Sequence, residues 1–115
     1  MRHHNHNRKL GRKRNQRKAL LRTLAVSLVT REKINTTEAK AKELRPYVEK
    51  IISAAKKETV AAHRKVSVEV GKRGATKLMK TVAPRYKDRN GGYTRIIRLP
   101  VRKSDGSPMA RIEFV

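Results

Sequence analysis

Residues that often build catalytic or structural sites are missing or scarce in this chain of 115 residues. It contains no cysteine, which excludes disulfides, thiolate zinc sites and cysteine nucleophiles. No apolar run approaches the ~20 residues that a membrane-spanning helix needs. No signal peptide is expected, because the basic N-terminus is not followed by a short apolar stretch with a small-residue cleavage site.

Acidic residues are also scarce, and this shortage is the strongest feature of the composition. There are 9 Asp and Glu against 31 Lys and Arg, which gives a net charge of +22. Self-repulsion of this size opposes a compact state, and a polyanionic partner would relieve it. Nucleic acid is therefore the first hypothesis. Hydrophobic residues make up only 37% of the chain, so we expect a thin core whose order depends partly on the partner.

The positive charge is concentrated at the two ends of the sequence. Residues 1–31 hold ten basic residues and no acid, residues 32–70 carry a net charge of +3, and residues 71–115 carry +9. Residues 1–14 contain almost no apolar side chain and are predicted to form a flexible basic arm that binds phosphates. Residues 15–115 are predicted to form a single globular domain. The alternative for the arm is a tail that only improves solubility.

Three of the four histidines, His3, His4 and His6, are clustered in this arm. Clustered histidines can bind transition metals, and they can also be the remnant of an expression tag. No Cys, Asp or Glu lies nearby to complete a metal site, so no metal is predicted. Contact with a nucleic-acid base or phosphate is the favoured interpretation.

Apolar spacing predicts several helices. A Leu stripe predicts a helix over 15–31 with Asn15 as its N-cap, and a second pattern predicts one kinked helix over 37–57 that continues across Pro46. Thr36 or Thr37 could cap this second helix, and Glu38 and Lys42 are spaced to form an ion pair. Two further helical stretches are predicted over 59–66 and 75–82. Residues 67–73 are left open, since the alternating valines there also suit a strand.

The C-terminal segment changes to the period of a strand. Ile97, Leu99 and Val101 alternate with Arg98 and Arg102, and Ala110, Ile112 and Phe114 alternate with Arg111 and Glu113. Turn-forming residues at 104–107 separate the two runs. They predict an antiparallel hairpin with one apolar face in the core and one basic face in solvent. Residues 33–35 are too short to assign and suit either a strand fragment or an extended connector.

A second basic segment, PRYKDRNGGYTR at 84–95, interleaves cations with two tyrosines and a glycine pair. Cations can hold a phosphate backbone, aromatic rings can stack on unpaired bases, and glycines let the main chain approach a phosphate closely. The alternative is an ordinary basic loop with Tyr86 and Tyr93 packed inward. The RNA-binding residues predicted from the two segments are Arg2, His3, His4, His6, Arg8, Lys9, Arg12, Lys13, Arg14, Arg17, Lys18, Arg85, Tyr86, Lys87, Arg89, Asn90, Gly91, Gly92, Tyr93 and Arg95.

No pattern of a catalytic site is present. The acids are scattered, none is paired with a histidine at a recognisable spacing, and no phosphate-binding glycine motif occurs. No catalytic residue, cofactor or small-molecule substrate is therefore predicted. The alternatives to an RNA-binding protein are a DNA-compacting architectural protein, an RNA-modifying enzyme and a cationic membrane-active protein.

Long ordered stretches resemble the bacterial large-subunit ribosomal protein L17 family. They include the opening MRHHNHNRKLGRKR, the segments INTTEAKAKELR and RNGGYTRI, and the ending PMARIEFV. The resemblance covers the whole chain and is weaker over 58–74, where VSVEV replaces the usual basic helical stretch. Asn15-Gln16-Arg17 also departs from the family's common His-Arg pairing.

The resemblance implies a two-layer α+β fold, with about four helices packed on a small, mostly antiparallel, three-stranded sheet and a basic extended N-terminal arm. Residues 33–35 become the third strand beside the C-terminal hairpin. The implied function is that of a structural constituent of the large ribosomal subunit, located in the cytoplasm within the ribosome. The implied partners are large-subunit ribosomal RNA and neighbouring ribosomal proteins on the side of the peptide exit tunnel.

Overall fold

The structure, a computed structural model, describes residues 8–115 as three α-helices and a three-stranded antiparallel sheet, which confirms the α+β class. Where about four helices were predicted, this part of the chain has three α-helices followed by two short helical turns. In chain order the elements are α1 (Arg14–Arg31), β1 (Lys33–Thr37), α2 (Glu38–Ala55), α3 (Val60–Lys77), a π-helical turn (Leu78–Val82), a 3₁₀ turn (Ala83–Tyr86), β2 (Thr94–Leu99) and β3 (Met109–Phe114).

Helix α1 begins one residue before the predicted start. Lys13 is its N-cap, so the prediction that Asn15 caps this helix is wrong. The Gln16 carboxamide accepts a hydrogen bond from the Lys13 backbone N–H at 3.3 Å, which satisfies a backbone donor in place of a short N-cap side chain. The helix ends at Arg31, and its C-cap Glu32 adopts a left-handed conformation with φ 66°. That turn leads directly into β1.

Helix α2 is one helix across Pro46, as predicted. Thr37 is the N-cap, and its hydroxyl accepts a hydrogen bond from the Lys40 N–H at 3.4 Å. The predicted ion pair between Lys42 and Glu38 is present at 2.9 Å. The apolar stripe of this helix is fully buried and consists of Ala41, Leu44, Val48, Ile51, Ile52 and Ala55.

Helix α3 resolves the segment that the sequence left open. Val66 and Val70 are buried one helical turn apart, while Val68 is 66% exposed, so the alternating valines belong to a helix. The predicted helix over 59–66 lies in the first part of α3, and the predicted helix over 75–82 spans the end of α3 and the π-helical turn after it. Gly71 interrupts the helix with φ 77° and ψ 170°, a conformation that essentially only glycine adopts.

The sheet has the strand order β1-β3-β2, so the C-terminal strand lies in the centre. Residues 33–37 pair with β3, which confirms the third strand that the resemblance implied. The C-terminal hairpin is also confirmed, but the predicted inward face of its first strand is wrong. Thr94 and Ile96 face the core opposite Phe114 and Ile112, and Ile97 is 42% exposed.

The helices cover one face of this sheet. Helix α2 packs against all three strands, α1 packs against β1, and α3 packs on α1 and α2. The inward residues of β3, Ala110, Ile112 and Phe114, are buried as predicted. None of the helices in residues 8–115 is long and apolar enough to cross a membrane. The fold therefore places α1 and α2 on one sheet face, with α3 packed on these two helices, and leaves the other sheet face open.

Candidate nucleic-acid interface

Ion pairs account for only a minority of the basic side chains in residues 8–115. Seven carboxylates form nine ion pairs there, each with a different Lys or Arg. The predicted site residues fall in two places, the N-terminal basic segment (residues 8–18) and the 84–95 loop. The predicted contacts of Arg2, His3, His4 and His6 lie outside the described residues.

The start of the N-terminal basic segment is attached to helix α2. The Glu43 carboxylate accepts hydrogen bonds from the Arg8 backbone N–H at 3.1 Å and from its Nη1 at 3.0 Å. Leu10 and Gly11 then turn the chain with positive φ, and Arg12 Nη1 donates to the Leu10 carbonyl at 2.7 Å. Arg8 and Arg12 are therefore engaged in holding this segment in place, while Lys9 is exposed.

The first turns of α1 carry a concentration of positive charge with no acidic residue in the first turn. Lys13, Arg14 and Lys18 are exposed, Arg17 is half-buried, and none of the four lies within 4 Å of a carboxylate in the described part of the chain. Cations at a helix N-terminus are opposed by the helix dipole, which favours anions there. A bound phosphate would offset both the mutual repulsion and this unfavourable placement.

The two tyrosines of the 84–95 loop are core residues. Tyr86 and Tyr93 are 3% and 2% exposed, and their ring centroids lie 5.0 Å apart. The Tyr86 hydroxyl donates to the Val115 carbonyl at 2.9 Å, and the Tyr93 hydroxyl donates to the Arg89 carbonyl at 3.1 Å. In this conformation neither ring is accessible for stacking on a base, so the inward-packing alternative describes them and their predicted role in RNA binding is not supported.

The glycine pair is held by helix α2 rather than left open to a phosphate. Gly91 and Gly92 have φ 83° and 63°, as their turn requires. The Gly92 N–H donates to Glu49 at 3.3 Å, and the buried Thr94 hydroxyl donates to the same carboxylate at 2.8 Å. Lys56, the C-cap of α2, donates from its Nζ to the Arg89 carbonyl at 2.5 Å, which fixes the loop at a second point.

Two of the four cations of this loop are ion-paired, and two are not ion-paired within the described residues. Arg85 pairs with Glu32, and this hydrogen bond, helped by Lys77, lowers the pKa of the Glu32 carboxyl. Arg95 pairs with Glu113 at 3.1 Å. The predicted residues that remain exposed at the tip of the loop are Lys87, Arg89 and Asn90.

The two predicted regions are both attached to helix α2, at different places. Glu43 holds Arg8, while Glu49 and Lys56 hold the 84–95 loop. Sequence reasoning missed these three supporting residues, because a charged residue on or beside a helix does not indicate which distant segment of the chain it will contact. It also missed the exposed cations Lys72, Arg73 and Lys80 near the end of the helical region, for which total charge was the only signal.

The fold and these surfaces define a class: a small α+β protein with several basic surface regions, whose described residues contain no cluster of groups arranged for metal binding. A model of the family described as "Ribosomal protein L17" matches residues 20–115. The chain belongs to this family, which consists of structural ribosomal proteins and not of enzymes. The resemblance seen in the sequence is confirmed.

Relatives from several bacteria match the chain along nearly its whole length. The protein named "Large ribosomal subunit protein bL17" of Wolinella succinogenes is 50% identical, with both chains covered completely. The protein of the same name from Campylobacter concisus is 52% identical over all of this chain and 98% of its own. That of Shouchella clausii is 50% identical over 93% of this chain and 97% of its own.

Proposed function

We propose that this protein is a structural constituent of the large ribosomal subunit in the cytoplasm, where it binds and stabilises large-subunit ribosomal RNA. The names of its relatives support the assignment to the large ribosomal subunit. The observation that carries the RNA contact is the stretch of residues 1–31, which holds ten basic residues and no acid. The exposed cations of α1 that have no carboxylate partner in the described residues belong to that stretch.

The binding mechanism is electrostatic and architectural. Residues 1–14 form an arm, with Arg14 already opening α1, and the arm follows the phosphate backbone of the RNA. Each Lys or Arg that neutralises a phosphate releases counterions, which gives a favourable free energy that falls as salt rises. Residues 15–115 form the globular domain that positions the arm.

The 84–95 loop supplies a second contact, through side chains that the fold leaves exposed. Lys87, Arg89 and Asn90 lie at its tip, and the bonds from Glu49 and Lys56 hold its backbone in place. A loop fixed before binding loses less conformational entropy when it meets the RNA. Specificity then comes from the shape of the folded RNA and not from a linear base code.

We propose further, from the family resemblance, that the protein lies near the peptide exit tunnel, beside other large-subunit proteins. The open outer face of the sheet supports such neighbours, because it combines apolar Ile97 and Leu99 with charged Arg95 and Glu113. A protein interface typically has an apolar centre and a polar rim.

Sedimentation of the tagged full-length chain tests the proposal. The wild-type protein is expected to travel with large subunits through a sucrose gradient and to resist a moderate salt wash. The triple variant Arg14→Gln, Arg17→Gln, Lys18→Gln should be released at lower salt, because three phosphate contacts are lost. The matched control is Lys57→Gln, Arg64→Gln, Lys103→Gln, which removes the same charge from exposed sites elsewhere.

Retention of the triple variant at the same salt as its control would exclude α1 as a contact. Failure of the wild-type chain to travel with large subunits at any salt would overturn the proposed function itself. Equal affinity of the purified chain for random duplex DNA and for large-subunit RNA would instead favour a DNA-compacting role.

A further inference from the structure

A groove of about 470 Å³ runs between the second half of helix α1 and strand β1. It lies outside both predicted contact regions. Leu24 and Ser27 line it from α1, Ile34 and Asn35 line it from β1, and Arg111 reaches it from the central strand. Arg31 and Lys33 lie at the point where the chain passes from the helix into the strand.

Three cations from three different elements meet in this groove. Arg31 is the last residue of α1, Lys33 is the first of β1, and Arg111 is on β3. No carboxylate lines the groove, and none of the three cations has an ion pair in residues 8–115. The site therefore concentrates positive charge that the rest of the described fold does not neutralise.

Two acids lie close to the cations of the groove, Glu32 in the sequence and Glu113 on the neighbouring strand, but both form ion pairs with other residues. Glu32 stands between Arg31 and Lys33, but its left-handed conformation accompanies ion pairs with Arg85 and Lys77. Glu113 is directly opposite Lys33 on the neighbouring strand, yet its carboxylate binds Arg95. Both acids could neutralise the groove from these positions, and both are held by cations that do not line it.

The floor of the groove is apolar, and its wall carries hydrogen-bonding groups. Leu24 and Ile34 are half-buried and pack against the core. Arg111 Nε donates to Asn35 Oδ1 at 3.0 Å, which fixes both side chains at the rim. An apolar floor with a cationic rim suits a nucleotide, whose base is flat and largely apolar on its faces and whose phosphate is an anion.

The free edge of β1 adds main-chain groups to this wall. The Phe114 N–H bonds to the Glu32 carbonyl at 3.2 Å, and the Glu38 N–H bonds to the Pro108 carbonyl at 2.9 Å. Hydrogen-bonded and non-hydrogen-bonded pairs alternate along an antiparallel ladder. The residues between these two bonds that turn their N–H and C=O away from β3 are therefore Lys33, Asn35 and Thr37, and the first two line the groove.

We propose that this groove binds one unpaired nucleotide of RNA, with its phosphate on Arg31, Lys33 and Arg111 and its base over Leu24 and Ile34. The inference rests on the proposed function and adds a third contact to it. A strand of a partner protein could also add to the free edge of β1. The three cations and the absence of a lining carboxylate favour the anionic partner, and the experiment separates the two.

The first measurement compares affinities for large-subunit ribosomal RNA. The triple variant Arg31→Gln, Lys33→Gln, Arg111→Gln should bind about tenfold or more weakly than the control Lys57→Gln, Arg64→Gln, Lys103→Gln, because a protein–phosphate contact depends on position and not only on net charge. The charge-preserving variant Arg31→Lys, Arg111→Lys shows whether loss of folding is responsible. It should retain most of the affinity, and circular dichroism should be unchanged in all three.

The second measurement uses large-subunit RNA that carries 4-thiouridine, irradiated in complex with the wild-type chain and mapped by mass spectrometry. A crosslink within residues 24–35 or at Arg111 supports a base in the groove. Equal affinities of the groove triple variant and its control, or crosslinks only elsewhere, would overturn the inference. So would a zero-length crosslink from β1 to a protein in intact subunits. In each of these cases the wild-type chain still binds RNA, so the proposed function stands independently.

Discussion

Glu49 joins the 84–95 loop to helix α2. Its carboxylate accepts hydrogen bonds from the Gly92 N–H and the buried Thr94 hydroxyl, and it also pairs with Arg45. Both oxygens of a carboxylate accept hydrogen bonds, whereas a carboxamide has one acceptor oxygen and an NH2 group that only donates. Thus a negative charge supports a loop that is proposed to bind a polyanion.

The variant Glu49→Gln separates these two effects. It should lower the free energy of unfolding by about 1–2 kcal/mol, since a charged acceptor is lost for two donors. It should also weaken RNA binding although the net charge becomes more positive, because the loop is no longer held. Urea unfolding and a filter-binding assay measure the two quantities.

Glu58→Gln is the matched control for this prediction. It changes the net charge equally at an exposed position after α2 and leaves the loop untouched. We expect its stability within about 0.5 kcal/mol of the wild-type value and an RNA affinity that is equal or slightly higher. An affinity gain for Glu49→Gln as large as for Glu58→Gln would show that the loop geometry is not used.

Glu32 gives a prediction for the dependence of stability on pH. Its pKa is lowered from 4.5 in the folded state, first by the hydrogen bond with Arg85. A carboxyl whose folded pKa is lowered contributes stability that is complete above its unfolded pKa and is lost as pH falls through the folded pKa. The contribution is below about 1 kcal/mol, because the pair is solvent-accessible.

Comparison with Glu32→Gln isolates this contribution. The wild-type chain should be the more stable at pH 7, and the difference in urea midpoint should shrink as the pH falls below 4.5. In the background Arg85→Gln the same difference should be smaller, since the main partner is gone. A difference that stays constant from pH 7 to pH 3 would contradict the assigned ion pair.

At the scale of elements, the break in α3 depends on a single glycine. Gly71 has φ 77° and ψ 170°, and a Cβ added there would meet no atom within 4 Å. The cost of Gly71→Ala is therefore a backbone cost alone, and we expect about 1–3 kcal/mol of lost stability. The exposed neighbour provides the control, since Lys72→Ala should change stability by less than about 0.5 kcal/mol. If the two substitutions changed the thermal unfolding temperature equally, this would contradict the glycine-specific backbone conformation at position 71.

The sequence predicted those elements whose burial follows a simple period. The stripe of α2 continues in phase through Pro46, and Ala110, Ile112 and Phe114 alternate cleanly, so both were predicted correctly. The inward face of β2 was assigned wrongly because Ile96 and Ile97 are adjacent and either phase is apolar. The inward phase of β2 follows the hydrogen bond from the buried Thr94 hydroxyl to the Glu49 carboxylate. These two residues are 45 positions apart in the sequence, so no local pattern reveals their contact.

The candidate site was predictable only in its charge. The acid-free start of α1 follows directly from the sequence, and those cations do lack carboxylate partners within the described residues. The accessibility of Tyr86 and Tyr93 was not predictable, because an aromatic residue in a basic loop suits stacking and core packing equally. The groove beside β1 was also missed, since Arg31, Lys33 and Arg111 meet only after β1 pairs with β3.

At the scale of the whole molecule, the charge of +22 is not spread evenly. Four of the acids have structural roles: Glu43 and Glu49 attach the two basic regions to α2, and Glu32 and Glu113 hold Arg85 and Arg95. Many cations on α1, at the tip of the 84–95 loop and around the groove are left exposed without a carboxylate partner in residues 8–115. The self-repulsion of these groups is the free energy that binding to a polyanion would remove.

The salt dependence of binding to large-subunit ribosomal RNA tests this central claim most directly. If about eight to ten phosphates are neutralised, the logarithm of the binding constant of the full chain should fall against the logarithm of salt concentration with a slope of roughly −6 to −9. A slope near −2 would contradict the account, because so few released counterions would mean that the exposed cations do not bind phosphates.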